Sequence, residues 1–145
     1  MWRIWCGLAL IPVLMVCAAV AAQPERSLAT VDKPAVVATT PPTEAANKNR
    51  RLILTVTGFQ PPESGAVQVV VDARTAAGGQ EIGRFGIFPN APFTASEPSR
   101  GQRFGLPWPS ELAGLDHSVT LNVHLVPLRG TGEGARLEVG AAEIQ

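Results

Sequence analysis

Ser118-Val119-Thr120-Leu121-Asn122-Val123-His124-Leu125-Val126-Pro127 is the stretch whose reading decides the fold. Val119, Leu121, Val123 and Leu125 fall on one side of an extended chain, and Thr120, Asn122 and His124 on the other. Apolar residues at every second position mark a strand with one face on a core and one in water. Working outward, residues 136–144 form the last strand, with Leu137 and Val139 on one face and Ala142 and Ile144 on the other. Its mixed faces leave the register open. Between the two strands lies the glycine-rich turn 128–134.

On the N-terminal side, Ser110 can cap and Gly114 can end one short helix over 110–115. Before it come a short strand at 103–106, a loop at 90–102 and a partly alternating strand at 80–88. Residues 66–73 place Val67, Val69 and Val71 on one face, and 52–57 is β-branched and apolar up to Gly58. No strand–long-helix–strand unit is present, so a parallel sheet is not expected. The expected architecture over residues 51–145 is all-β. It is an antiparallel β-sandwich, jelly-roll-like or Greek-key-like, with one short helix before the penultimate strand.

The first 50 residues differ in kind. Arg3 gives a positive start, residues 7–16 are apolar, and Cys17-Ala18-Ala19-Val20-Ala21-Ala22 carries small residues where a signal peptidase requires them. Residues 1–22 are read as a signal peptide, so the working chain is exported, periplasmic or secreted. Two alternatives are an uncleaved membrane anchor and a lipoprotein. Either would tie the chain to a membrane through its leader region. Residues 23–50 are rich in Ala, Pro and Thr and hold no aromatic residue; Pro24, Pro34, Pro41 and Pro42 bar a helix. A disordered linker is expected here, with Val36-Val37 too short to anchor anything.

Composition restricts the chemistry. The 145 residues hold 12 Lys and Arg against 12 Asp and Glu, so no basic stripe is available for nucleic acid. Both cysteines, Cys6 and Cys17, fall in the leader, which leaves the remainder without a thiolate or a disulfide. His117 and His124 are seven residues apart, which puts them on opposite faces of a regular strand. No metal site, no cofactor site and no catalytic residue are assigned. Ser64, Ser96, Ser99, Ser110 and Ser118 fit turns and caps rather than a nucleophile elbow. Residues 130–134 look like a phosphate loop but lack a lysine and a following helix, and are read as a hairpin loop. The chain is not expected to be an enzyme. The concentrated signal is aromatic: Phe85, Phe88, Phe93, Phe104 and Trp108, with Arg84 and Arg103 among them, either fill the core end and pin the long loop or form a candidate partner surface.

The order of these segments resembles the small C-terminal domain of plant-type polyphenol oxidases and tyrosinases, named for a Lys-Phe-Asp-Val motif. Residues 52–58 resemble its opening strand, and 81–89 its Phe-x-Gly-Ser-Phe-x-x-x-Pro segment. Residues 112–116 stand at its short helix, 118–127 at its Val-x-Val-Thr-Leu-Val-Pro strand and 137–144 at its closing strand. Ala66-Val67-Gln68-Val69 stands in place of the naming motif and keeps only its final valine, and Asn90 stands where a histidine follows proline. The resemblance implies a β-sandwich that covers the entrance of a dicopper site in a separate catalytic domain. The six copper-binding histidines of that domain are absent from this chain, which has two histidines. The expected role is an exported non-catalytic accessory module that shields or assists a tyrosinase-like copper oxidase. The alternatives are a structural or adhesive envelope sandwich and a small-molecule binding module.

Overall fold

Valine alternation decides the centre of the second sheet. In the computed structural model the described residues are 27–41, 49–97, 100–112, 114–115 and 117–145. The expected signal peptide lies outside them, as do residues 42–48. Nine strands run in order: β1 (Ser27–Thr30), β2 (Ala35–Thr39), β3 (Arg51–Gln60), β4 (Ala66–Thr75), β5 (Gly78–Phe85), β6 (Phe93–Thr94), β7 (Gln102–Pro107), β8 (Val119–Arg129) and β9 (Arg136–Ile144). All the pairings are antiparallel. One sheet has the order β1-β9-β3, with β6 and β7 both on the far edge of β3. The other has the order β2-β8-β4-β5. The protein is an antiparallel β-sandwich. The expected short helix is a single 3-10 turn, Ser110–Leu112.

The two long pairs β3–β9 and β4–β8 stack across one core. Val67, Val69, Val71, Val119, Leu121, Val123 and Leu125 project inward from one sheet, and Leu52, Leu54, Val56, Phe59, Leu106, Leu137 and Val139 from the other. Each large side chain so buried contributes about 1.5–3 kcal/mol. Because β8 and β9 lie in different sheets, residues 130–134 arch between sheets and are not the hairpin loop expected. Gly130, Gly132 and Gly134 all have positive φ there.

The mixed faces of β9 have a structural cause. Thr55 faces Ala141, but Val56 faces Val139, so Gly140 is an extra residue in β9; Gly58 then faces Glu138, making Thr57 an extra residue in β3. These opposed bulges reverse the inward parity of both strands together. Leu52, Leu54 and Ile144 point inward on one side of the bulges, and Phe59, Leu137 and Val139 on the other. Gly58 does not end β3, as expected from sequence; it leaves room for the Glu138 side chain, whose Cδ would sit 3.1 Å from an added Cβ.

The linker expected over 23–50 is corrected for its described part. β1 pairs with β9 through four residues and β2 with β8 through five. Thr30 N–H donates to Lys33 O at 2.8 Å in the turn between them, and Val36 N–H donates to Ser27 Oγ at 2.9 Å. Pro34 and Pro41 flank β2 rather than interrupt it. Strand pairing uses the main chain, so no aromatic residue was needed; Ala29 and Ala35 are fully buried.

An alanine Cβ at Gly140 would lie 2.5 Å from Thr57 Cγ2. Gly140→Ala is therefore expected to cost about 2 kcal/mol in urea unfolding, and less than about 1 kcal/mol in a Thr57→Ala background, where the obstructing methyl is gone. Equal penalties in both backgrounds would remove this account of the bulge.

Candidate functional site

Strand direction gives the sandwich two distinct ends. Gln60, Ala66, Arg129 and Arg136 mark one, where the 86–92 loop and β6 also lie. Arg51, Thr75, Val119 and Ile144 mark the other, where Trp108 and the 3-10 turn sit. The seven residues of the expected partner surface divide between these ends and between the two sheets.

Phe85 ends β5 and Phe104 lies in β7, on the facing edges of the two sheets. Their rings stack with centroids 4.1 Å apart and planes 18° apart. Phe85 is paired with Val69 and Phe104 with Leu54, both inward positions, so the stack closes one open side of the sandwich. Their sequence neighbours then point outward on opposite faces. Arg84 lies on the outer face of the β2-β8-β4-β5 sheet. Its Nε donates to Glu81 Oε1 at 2.9 Å and its Nη2 to Glu81 Oε2 at 2.6 Å. This hydrogen bonding and charge, with a smaller contribution from Asp72, raise the guanidinium pKa further. Arg103 lies on the outer face of the other sheet, with Nη2 3.8 Å from Glu143 Oε2.

Trp108 is a correction. It is 6% exposed and belongs to the core, so it presents no surface to a partner. Its backbone N–H donates to Arg50 O at 3.0 Å, while Nε1 finds no acceptor among the described residues. Pro107 and Pro109 stiffen the chain on both sides.

Phe88 stands out in solvent. It is 89% exposed in the 86–92 loop, before a cis peptide bond to Pro89. Two residues that sequence reasoning had not singled out lie at the same end: Leu128 at 59% and Val126 at 41% exposure. The signal was available, since both follow the outward positions of β8. Phe93 is half-buried and pairs with Phe59. It forms one wall of a shallow groove of about 370 Å³ over Gly58, with Leu28, Arg136 and Glu138 opposite.

The two histidines do not meet. His124 Nε2 lies 3.2 Å from Asp72 Oδ2 on the outer face of the sheet, while His117 precedes β8 at the Trp108 end. Among the described residues no group of three or more His, Cys, Asp or Glu is placed to hold a metal ion, and no helix is long and apolar enough to cross a membrane.

Comparison with family models, with curated proteins and with solved structures found no match to this chain.

The aromatic stack gives a measurable coupling. Phe85→Ala and Phe104→Ala are each expected to cost about 2 kcal/mol, and the double variant about 1 kcal/mol less than their sum. Additive losses in a double-mutant cycle would show that the rings fill space independently.

Proposed function

We propose that this chain is an exported, non-catalytic interaction module that docks through its Phe88 end. The observation that carries the reading is the 89% exposure of Phe88, with Leu128 and Val126 exposed at the same end of the sandwich. An aromatic ring held in water by a loop on a rigid sheet is suited to anchor in a partner's pocket. The Phe85–Phe104 stack beside the root of the loop fixes where it leaves the sheet. The leader at residues 1–22 supports export. The thin inventory of reactive groups in residues 23–145 supports a surface role over turnover.

The proposed partner is a tyrosinase-like copper oxidase, which the module shields or assists. Support for that choice is the order of segments shared with the polyphenol oxidase C-terminal domain, from residues 52–58 through 137–144. The dicopper chemistry would belong wholly to the partner.

Phe88→Ser tests the reading. Because Phe88 is exposed, the substitution is expected to change stability by less than about 0.5 kcal/mol. It is expected to weaken binding to the oxidase by about 2 kcal/mol, roughly 30-fold, and to abolish the module's effect on latency or copper loading. Binding that is unchanged by Phe88→Ser overturns the docking end. Absence of any complex with the oxidase overturns the partner.

A further inference from the structure

A second cleft opens at the opposite end of the sandwich, where docking through Phe88 makes no demand. It encloses about 370 Å³. Its floor is apolar: Leu112 and Val119 are each 3% exposed, with Leu115 packed against the same core. The charged and imidazole side chains around that floor are those of Arg74, Glu111 and His117, with Thr75, Gln80 and Ser118 beside them.

The local backbone is tied down on both sides. Thr75 Oγ1 donates to Gly78 O at 2.8 Å, closing the β4–β5 turn beside Arg74. Leu112 N–H donates to Pro109 O at 3.1 Å, and Leu115 N–H to Leu112 O at 3.3 Å. The 3-10 turn thereby sets Glu111 at the rim and Leu112 at the floor.

The charges at the rim are open to solvent. Arg74 and Glu111 line the same cleft, and neither side chain makes an ion pair or hydrogen bond with a described residue, including each other. Elsewhere in the molecule Arg84, Arg100 and Arg103 each have a carboxylate within reach. A cation and an anion lining one cleft with an apolar floor match a ligand that carries both opposite charges and an apolar body.

We propose that this cleft binds a hydrophobic α-amino acid as its zwitterion. The carboxylate pairs with the Arg74 guanidinium, whose fork suits two oxygens. The ammonium group pairs with the Glu111 carboxylate, and the side chain covers Leu112, Leu115 and Val119. The volume lies in the range of small-ligand pockets.

Titration of the full chain with L-phenylalanine, followed by amide chemical shifts and by Trp108 emission, tests the assignment. A saturable Kd of about 1 mM is expected for a ligand of this size. N-acetyl-L-phenylalanine, which lacks the ammonium, and L-phenylalaninamide, which lacks the carboxylate, are each expected to bind about tenfold more weakly. Arg74→Gln is expected to lower affinity about tenfold and to remove the preference for the acid over the amide. Glu111→Gln is expected to do the same for the free amine over the acetylated form. No saturation, equal binding of all three compounds, or indifference to both substitutions overturns the proposal. Should a variant unfold, the three compounds on the unaltered chain still decide it. Failure here leaves docking through Phe88 untouched, since the two ends share no residue.

Discussion

The close approach of Thr57 and Gly140 is the constraint on which the first sheet depends. Each strand carries one extra residue at that point, and the two extras face each other. Without them, a strict alternation along β3 and β9 would bury one half of each strand and expose the other. With them, Leu52 and Ile144 at one end and Phe59 and Leu137 at the other reach the same core. The contact tolerates no side chain at Gly140, because Thr57 Cγ2 already fills the space. The outer face follows from the same reversal: Gly58 and Glu138 come to the side away from the core, where they line the groove beside Phe93.

Legibility of the fold tracked local simplicity. β4 and β8 were readable because nothing interrupts their alternation, and both sit at the middle of a four-stranded sheet. β9 was recognisable as a strand, but its faces were not, because a bulge needs two strands and a sequence shows one at a time. β1 and β2 were invisible for another reason. Their buried residues are alanines and a threonine, which carry little hydropathy signal, and their partners β9 and β8 lie over 80 residues away. The fold class survived this omission because the long pairs β3–β9 and β4–β8 already define two sheets.

The candidate site was legible only in part. Closeness in sequence put Arg84, Phe85, Arg103, Phe104 and Trp108 in one group, but period-two alternation divides neighbours between faces. Phe85 and Phe104 turn inward to close the sandwich, their arginine neighbours turn outward on opposite sheets, and Trp108 enters the core. Phe88 kept its expected exposure because it lies beyond the last paired residue of β5. The cleft between Arg74 and Glu111 had no sequence signal, since it joins a strand end to a turn 37 residues further on. The two ends of the sandwich thus present different features, one the exposed Phe88 ring and the Phe93 groove, the other the Arg74–Glu111 cleft.

The pairing of β1 and β2 moves the effective boundary of the folding unit. A fragment cut before residue 51, where composition changes, would lack the outermost strand of each sheet. β9 and β8 would then present unpaired main-chain donors and acceptors side by side, flanked by the inward rows of Leu137, Val139, Leu121 and Val123. Such bare borders recruit other chains, so the shortened protein would self-associate through its sheets and its solution behaviour would describe the cut.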